Sequence, residues 1–568
     1  MFDDFRAEAT GILEKAGVKT PLLEEPPDPK MGDLAFPCFE LAKEKGKNPK
    51  ETAKEISLRV KIPKDSIFRE VKALGPYLNF FFDRGKLSEK VVKEINGKKE
   101  KYGSSKDREK VLIEHTSINP SGPINVGRIR NTFIGDTLVR LYRFMGYKVL
   151  THYFVNNIGK QVAIIAWGKS KGIEPSSELM EKYEKYKDQS DFQTMFVYVP
   201  ANAEMEKNEE AQKEVEELLQ KCEAGERKSI KLLKDVSSKC LEGQKKTMER
   251  FGVKIDSFDF ESNFLEDGSV AKFIQRMKKL PEHREIDGLH LIDLSKYGFE
   301  RRTGGTVFQR TDGTSVYIAR DVAYHSYKLK LAKKNINVLG EDHKVEAEEL
   351  KQILNLLGVL KGKELDVVFF SFVNLKEGRM STRSGETVPV DAVLDEGVEK
   401  ASELIRKRYP LSLNKIKSTA EKIAVAALRY SEIKVAPSKS ILFDWDEALS
   451  FEGETGPYLQ YSLVRAKKIL EKSKKKLEIG KLEEEEEFEL AKKLTKFPEV
   501  VSKSVFGYKP HLLANYTYEL ASLFSRFYEK CPVVKSEKEG ERLALVQSFV
   551  HVMRNCLELM GIDEVELM

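Results

Sequence analysis

Residues 111–155 constrain the fold of this 568-residue chain more than any other segment. A strand-like run, VLIEHTS (111–117), leads into the loop NPSGPINVG, which is rich in Pro, Gly and Asn. The following RIRNTFIGDTLVRLYRFM has helical spacing and stops at Gly146, and KVLTHYFV predicts a second strand. A strand, a glycine-containing loop, a helix and a second strand are the opening of a parallel α/β sheet.

The rest of the chain extends this pattern in both directions. Strand-like segments return at NINVLG (335–340) and DVVFFSFVNL (366–375), separated by the helical pattern HKVEAEELKQILNLLG. Residues 173–252 are highly charged and favour helices, which predicts a solvated helical insertion; a coiled-coil partner site is the alternative. From about residue 395 onward nearly every segment has helical spacing, and the acidic run 483–487 is expected on an exposed helix or loop face.

Residues 1–105 predict a small α+β unit. DDFRAEATGILEKAG and NPKETAKEISLRV have helical spacing, PYLNFFFD is an aromatic strand, and the polar NGKKEKYGSSKDREK is typical of a linker. The chain length also suggests three or four domains at roughly 150 residues each. The predicted fold class is therefore multidomain α/β: an N-terminal α+β domain (1–105), a parallel-sheet core with its insertion (106–398) and an all-helical C-terminal domain (399–568).

Composition excludes several classes of protein. Lys and Arg number 97 against 91 Asp and Glu, so the net charge of +6 does not itself indicate a nucleic-acid binder. The absence of a long apolar run, the acidic N-terminus and five scattered cysteines predict a cytoplasmic protein with no membrane contact. The eight histidines show no metal-binding spacing, and we assign no metal ligands.

Two loops have the composition of a phosphate site, although neither contains a P-loop or a G-x-G-x-x-G motif. In the first loop, Gly122 and Gly127 allow close approach of the backbone to a ligand, and Arg128 adds a charge where a helix begins. The second, KEGRMSTRSGET (376–387), is dense in basic and hydroxyl side chains, which suit a triphosphate. Taken singly, the first is more typical of a simple connection and the second of a solvated surface loop.

Together, E-H-T-S-I-N-P-S-G-P-I-N-V-G-R-I-R-N and the later R-M-S-T-R-S-G resemble the two signatures of class I aminoacyl-tRNA synthetases. Within that class the chain resembles the arginyl-tRNA synthetase family in its archaeal-type form. Further stretches that resemble this family are GDLAFPCFELAK (32–43), YFVNNIGKQ (153–161), VYIARDVAYH (316–325), LGEDHK (339–344), LSFEGETGPYLQYSLVRA (449–466) and HLLANYTYELASLFSRFYEKCP (511–532). The resemblance covers essentially the whole chain.

This resemblance implies a Rossmann-type catalytic core and an ATP-dependent ligase. The family forms arginyl-adenylate from L-arginine and ATP, with Mg²⁺ expected alongside ATP, and transfers the arginyl group to the 3′-terminal adenosine of tRNA(Arg). Catalysis by positioning and charge stabilisation agrees with the lack of a Ser/His/Asp or Cys/His arrangement. We expect a monomer.

The resemblance also implies an arginine site. It implies that Asp321 binds the guanidinium group of arginine and that Tyr317 is a wall of the site or a hydrogen-bond donor. Without the resemblance, Tyr317 is as well explained as a core aromatic and Glu114 as half of a buried ion pair. A break in the strand near Ser117 would re-aim the side chains around it. The expected arginine-binding residues are Glu114, Ser117, Asn119, Gln161, Tyr317 and Asp321.

The nucleotide site departs from the usual class signatures. Asn125-Val126-Gly127-Arg128 stands where the class usually has H-x-G-H, and Arg379 replaces the lysine of the second signature, so Arg379 and Arg383 must supply its charge. The expected ATP-binding residues are Pro123, Asn125, Gly127, Arg128, His343, Met380 and Ser381. The expected catalytic residues are Asn125, Gly127, Arg128, Arg379, Ser381 and Arg383.

The two outer domains resemble the family's RNA-binding modules. In the helical domain, Tyr458, Tyr461 and Tyr516 are candidates for stacking on anticodon bases and Arg465 for a phosphate contact, with a core role the alternative for each aromatic. In the N-terminal domain, Asn79 and Phe81 are candidates for the tRNA elbow.

Two other functions remain open at this point. An RNA-binding paralogue without adenylate chemistry would account for Asn125 and the missing lysine, but not for the retained guanidinium site. A nucleotidylyltransferase that shares the fold would not account for the long helical domain.

Overall fold

The computed structural model of the chain describes residues 1–375 and 388–567. The N-terminal part is a three-stranded antiparallel sheet with helices packed around it. Its elements are α1 (Phe2–Lys15), β1 (Leu34–Pro37), α2 (Phe39–Glu44), α3 (Pro49–Ser57), β2 (Phe68–Leu74), β3 (Tyr77–Phe82) and α4 (Arg84–Lys98). Strand β3 lies between β1 and β2; in the core its Phe82 stacks on Phe68, and its Phe80 meets Phe68 edge to face. The predicted α+β architecture is confirmed.

The stretch predicted as a linker is only partly one. Helix α4 continues to Lys98, and Tyr102 is fully buried. Its ring stacks on Phe497 with centroids 6.1 Å apart, and its hydroxyl donates to the carbonyl of Leu494 at 3.2 Å. A buried tyrosine whose hydroxyl is hydrogen-bonded is a core residue. The linker prediction is therefore wrong for the part of the stretch up to and including Tyr102.

The central part of the chain builds the parallel sheet. Its first elements are β4 (Lys110–Glu114), α5 (Val126–Phe144), β5 (Lys148–Val155) and α6 (Lys160–Ser170). The insertion follows as α7 (Ser177–Lys182), α8 (Ser190–Lys207), α9 (Glu209–Glu223) and α10 (Arg227–Arg250). The chain then continues through β6 (Ser257–Phe260), α11 (Glu261–Glu266), α12 (Ser269–Met277), β7 (His283–Ile286), β8 (Leu289–Ile292), β9 (Thr306–Gln309), α13 (Tyr317–Leu331), β10 (Lys334–Gly340), α14 (Lys344–Leu356), β11 (Glu364–Phe370) and β12 (Val373–Leu375). Strands β7, β8 and β9 form a separate antiparallel sheet.

The topology of the main sheet locates the ligand site. Its strand order is β11-β10-β4-β5-β6 and every pair is parallel. The chain leaves β4 towards β5 on one side and returns to β10 on the other. In such sheets ligands bind at the carboxyl ends of the strands where the winding direction reverses. The ends of β4 and β10 form that point here, and the predicted Rossmann-type core is confirmed.

The insertion is more than a solvated cover. Its helices share a buried cluster with α6 that includes Ile165, Ala201 and Leu233. The charged side chains alternate with this apolar face, as expected for an amphipathic helix packed on a protein surface. The prediction of helices is therefore right, and the solvated interpretation holds for one face only.

The C-terminal part is helical except for one short strand. Its elements are α15 (Val390–Arg408), α16 (Leu413–Ile433), β13 (Ile441–Phe443), α17 (Trp445–Ala448), α18 (Gly456–Lys472), α19 (Glu485–Thr495), α20 (Phe497–Phe506), α21 (Pro510–Lys530) and α22 (Glu539–Leu559). Short 3₁₀ turns lie at Pro29–Met31, Lys99–Lys101, Glu184–Tyr186, Ser295–Tyr297 and Glu341–His343. In the described ranges, no helix combines the length and the apolar character that crossing a bilayer requires.

Two local predictions are corrected in this part of the fold. The segment 366–375 is not one strand, because β11 belongs to the main sheet whereas β12 pairs in parallel with β13. Within the acidic run, Glu487 is buried and accepts a hydrogen bond from Arg542 Nε at 2.7 Å. Only part of that run lies on an exposed face.

Candidate active site

Strand β4 ends abruptly at the edge of the candidate site. Thr116 and Ser117 adopt left-handed backbone angles, with φ of 69° and 42°. Such angles are strained for residues with side chains. Asn131 of α5 holds the break, since its Oδ1 accepts the N–H of Thr116 at 2.9 Å and its Nδ2 donates to the carbonyl of Val338 at 3.0 Å. The alternation of a strand therefore stops at Glu114, and the side chains beyond it are re-aimed.

Helix α5 packs very closely on this break through Gly135. A Cβ atom at Gly135 would lie 2.2 Å from the Cβ of His115, which is far inside van der Waals contact. Burial lowers the pKa of His115 to about 4, so the imidazole is neutral in the physiological range. This contact fixes the helix whose N-terminus carries the first signature.

The first signature caps that helix. Asn125 is the N-cap of α5, and its Oδ1 accepts the N–H of Arg128 at 2.9 Å. The cap uses Oδ1 of Asn125 and not its Nδ2 donor. The Arg128 guanidinium stacks over Phe372 at 5.3 Å and lies 4.0 Å from the carboxylate of Asp342. A helix N-terminus with an adjacent cation is suited to an anionic ligand.

The structure brings the first signature against both ends of the second loop. Val126 donates its N–H to the carbonyl of Val388 at 3.0 Å, and Val390 donates to the carbonyl of Ile124 at 2.8 Å. A Cβ at Gly127 would lie 3.7 Å from the carbonyl of Val373, in the strand that precedes the loop. The predicted site residues Arg379, Met380, Ser381 and Arg383 lie outside the described residues.

Gln244 of the insertion, which the sequence analysis missed, frames the first loop. It is fully buried, and its Nε2 donates to the carbonyls of Gly122 at 2.8 Å and Asn119 at 3.2 Å. The available signal was its spacing, because Cys240, Gln244 and Met248 recur at four-residue intervals on the buried face of α10.

Four of the predicted arginine-binding residues lie at or near the carboxyl end of β4. Glu114 is buried, its Oε2 is paired with Lys328 Nζ, and its Oε1 accepts a hydrogen bond from Ser117 Oγ at 3.3 Å. Asn119 is exposed beside them and donates from Nδ2 to Gln161 Oε1 at 3.1 Å. Gln161 is therefore linked to the first loop.

The other predicted pair begins α13. Tyr317 is 51% exposed, and the guanidinium of Arg320 lies 4.8 Å from its ring centroid, so the ring is not a core aromatic. Asp321 follows one turn later, and its carboxylate has no hydrogen-bond or ion-pair partner among residues 1–375 and 388–567. Burial, with the negative charges of Glu261 and Glu114, raises the pKa of Asp321 to about 7.

The neighbouring buried carboxylates are already compensated. Arg320 lies 2.6 Å from Glu261 through Nε and donates from Nη1 to Glu223 at 3.0 Å. Glu223 also accepts from Arg310 at 2.8 Å. A buried carboxylate is tolerated when it is paired and hydrogen-bonded. Glu261 and Glu223 are thus each paired with Arg320, whereas no described cation is paired with Asp321.

His343 and Pro123 border the nucleotide side. His343 is exposed in the turn after β10, with Nε2 3.8 Å from the carboxylate of Asp342, which also faces Arg128. Pro123 is half-buried in the first loop. In the described part of the chain, no three His, Cys, Asp or Glu side chains are grouped as a metal cage.

Two of the predicted RNA contacts are corrected by burial. Tyr516 is 3% exposed and donates its hydroxyl to the carbonyl of Lys493 at 3.1 Å, so no ring face is open to a base. Asn79 is also 3% exposed, in the middle of β3. Both are core residues, which agrees with the helical spacing around Tyr516 and with the position of Asn79 in the central strand of its sheet.

The remaining RNA candidates are half-buried at the surface. Phe81 has Lys72 Nζ 5.6 Å from its ring, and the Tyr458 hydroxyl lies 3.1 Å from Ser525 Oγ. Arg465 stacks over Tyr461 at 5.3 Å and over the exposed Tyr528 at 4.0 Å. These rings and cations have the chemistry that contacts unstacked bases and phosphates.

Three family models match the chain in order. "Arginyl tRNA synthetase N terminal domain" matches residues 3–82, "tRNA synthetases class I (R), catalytic domain" matches residues 91–445, and "DALR anticodon binding domain" matches residues 459–568. The catalytic-domain model alone covers more than half of the chain.

Similar proteins span the same length. An arginine–tRNA ligase of Methanosarcina barkeri is 39% identical, with 100% of both chains covered. One from Methanothermobacter thermautotrophicus is 40% identical over 99% of this chain and 98% of its own. The solved structure of Thermus thermophilus arginyl-tRNA synthetase superposes with a TM-score of 0.81 at 26% identity, covering 99% of each chain.

Proposed function

The chain belongs to the arginyl-tRNA synthetase family, and on that premise we propose how its residues divide the work of an arginine–tRNA ligase. The enzyme joins arginine to tRNA at the expense of ATP. Three tasks follow from this chemistry: recognition of a guanidinium, stabilisation of charge at a triphosphate, and contact with an RNA.

Asp321 is the proposed guanidinium acceptor. A planar guanidinium is recognised best by a carboxylate with free lone pairs, which can accept two parallel hydrogen bonds. The observation that supports this role is that the Asp321 carboxylate has no partner among residues 1–375 and 388–567, while Glu114 is paired with Lys328. Tyr317 supplies a wall for the side chain. Glu114, Ser117 and Asn119 receive the α-amino end, and Gln161 holds Asn119 in place.

The first signature is the proposed phosphate site. The N-terminus of α5, the Nδ2 donor of Asn125 and the Arg128 guanidinium all offer positive charge to a phosphate. Arg379 and Arg383 supply the further charge that the second signature contributes in the family. Pro123, Gly127, His343, Met380 and Ser381 line the nucleotide. Arginyl-adenylate then forms through alignment of the two substrates and stabilisation of the charge on the phosphates.

We assign Mg²⁺ to ATP rather than to a protein cage. Mg²⁺ is usually held by substrate phosphates, water and one or two carboxylates. Asp342, exposed beside Arg128, is the carboxylate suited to this task. When bound, the ion would neutralise part of the phosphate charge.

The RNA partner proposed is tRNA(Arg). Its 3′-terminal adenosine receives the arginyl group, while Tyr458, Tyr461, Arg465 and Phe81 contact other parts of the molecule. We also propose that the enzyme acts as a monomer. The role in protein synthesis places the proposed activity in the cytoplasm.

The decisive experiment replaces the free carboxylate. In steady-state arginylation, Asp321→Ala is expected to raise the KM for arginine at least ten-fold, since a charge-assisted bidentate contact is lost. The KM for ATP should stay within about two-fold. Asp188→Ala, an exposed aspartate of the insertion, is the control. An equal rise in both KM values would contradict the guanidinium role.

A further inference from the structure

A buried polar chain connects the carboxylate of Glu114 with the backbone of Asp321, and both residues are proposed to bind arginine. Lys328 is 0% exposed; its Nζ is paired with Glu114 and donates to Asn337 Oδ1 at 2.9 Å. Asn337 Nδ2 lies 2.8 Å from His325 Nε2. His325 Nδ1 lies 2.9 Å from the backbone carbonyl of Asp321. The chain thus runs from Glu114 to the helical turn that carries Asp321.

Donor and acceptor chemistry fixes the direction of every bond in this chain. The Lys328 ammonium only donates, so Asn337 must accept through Oδ1 and donate through Nδ2 to His325. His325 Nε2 is then the acceptor, and Nδ1 carries the proton that it donates to the carbonyl of Asp321. Burial and the charge of Lys328 hold the pKa of His325 well below its usual range, so the imidazole is neutral, and its two hydrogen bonds select this tautomer.

The location of these residues is costly for folding. Asn337 lies in β10, in register with Glu114 of β4, inside a parallel sheet whose strands are usually continuous apolar runs. Burying a lysine, an asparagine and a neutral histidine costs free energy unless each finds partners. A methionine and a valine at positions 328 and 337 would fill similar space without that cost. Their presence is explained if these polar groups hold the arginine-binding residues in position.

We propose that Lys328 and Asn337 are positioning residues for arginine recognition. Lys328 occupies Glu114 Oε2, which leaves Oε1 and Ser117 Oγ to meet the α-ammonium group. Asn337 joins Lys328 to His325, and so sets the distance between Glu114 and the turn of Asp321. This inference rests on the proposed arginine site. The phosphate site lies outside the chain of hydrogen bonds, so ATP binding should not depend on it.

Steady-state arginylation with three substitutions tests the proposal. Lys328→Met keeps the length of the side chain and removes the cation; the KM for arginine should rise about ten-fold or more, and that for ATP should change less than two-fold. Lys328→Arg keeps the cation and should recover most of the loss. Asn337→Ala removes the link without stranding a charge, and should raise the KM for arginine about three-fold. If Lys328→Met does not fold, the KM for arginine of Asn337→Ala tests the proposal.

Asn335 provides a matched control in the same strand. It is also a fully buried asparagine of β10, but its Nδ2 donates to the carbonyl of Ala332, at the end of α13 and away from both carboxylates. Asn335→Ala should therefore lower thermal stability without changing the KM for arginine.

The outcomes separate the two proposals. Lys328 and Asn337 are not positioning residues if folded Lys328→Met keeps the KM for arginine of the native enzyme, or if the KM values for arginine and ATP rise together. If Asp321→Ala raises the KM for arginine in the same assay while Lys328→Met does not, only the present inference fails. If neither substitution changes it, both proposals fail.

Discussion

The backbone N–H of Val126 donates to the carbonyl of Val388 at 3.0 Å. This bond joins the start of helix α5 to the residue that follows the second signature loop. Two segments that are far apart in sequence, each ambiguous alone, therefore flank one site. The position of that site at the ends of β4 and β10 follows from the reversal of winding in the sheet.

The insertion should contribute to nucleotide use through Gln244. We predict that Gln244→Ala raises the KM for ATP or lowers kcat about ten-fold, because two loop carbonyls lose their buried donor. The exposed Gln220 of α9 offers a matched substitution, Gln220→Ala, that should change neither parameter. Steady-state arginylation at varied ATP measures both. Identical behaviour of the two variants would show that the insertion does not support the loop.

Arginine binding should depend on pH through Asp321. The pKa of this carboxyl is raised to about 7, so below that pH it is protonated and cannot accept both guanidinium hydrogen bonds. The KM for arginine should therefore fall roughly ten-fold between pH 6 and pH 8, as the ionised fraction rises. The Asp321→Asn variant, assayed at high arginine, should lose this dependence. A KM for arginine that is flat over this range would contradict the titration.

Two glycines should respond in opposite ways to alanine. Gly135→Ala places a Cβ against His115 and should destabilise the fold by about 2–3 kcal/mol through overpacking. Gly11→Ala, in helix α1 with open space around the new Cβ, should stabilise it by about 0.5–1 kcal/mol. Thermal unfolding measures both. Equal shifts of the two midpoints would mean that α5 does not pack tightly on the strand break.

Because of Glu432, the free energy of unfolding should fall as pH rises. Both of its carboxylate oxygens lack hydrogen-bond partners in the described structure, Arg130 Nε is 3.9 Å away, and burial raises its pKa to about 8. The pKa is therefore higher in the folded state than in the unfolded state. Protonated Glu432 therefore contributes its full stabilisation of the fold below the pKa of the unfolded state, and this contribution is lost as pH rises through 8.

Glu432→Gln should remove this dependence. At pH 8.5 we expect the variant to be more stable than the native enzyme by on the order of 2 kcal/mol. Thermal midpoints at pH 6 and pH 8.5 provide the measurement, with the exposed Glu452→Gln as control. A native midpoint that does not fall relative to that of Glu432→Gln would argue against a protonated Glu432.

The fold was predictable where periodic patterns are local. The strand–loop–helix–strand pattern at 111–155 became β4, α5 and β5, because each element buries a face that its own sequence marks. The strand ended early at Glu114 because the left-handed pair Thr116 and Ser117 depends on Asn131, a partner in another element.

The framework of the site was harder to predict than its substrate-facing residues. Glu114 and Asp321 lie in stretches that resemble a known family, whereas Gln244, Lys328 and Asn337 act through partners that the topology alone supplies. Helical periodicity could not separate Tyr516, which is buried, from Tyr461, which is not. Residues such as these are fixed by tertiary contacts rather than by local propensity.

Charging of purified tRNA with labelled arginine is the most direct test of the arginine pocket and the signature loops together. With ATP present, we predict that the native enzyme esterifies arginine to tRNA and does not esterify lysine, whose ammonium group cannot donate two parallel hydrogen bonds to the carboxylate of Asp321 as a guanidinium does. Acceptance of arginine no higher than in a reaction without enzyme, or equal acceptance of lysine, would contradict it.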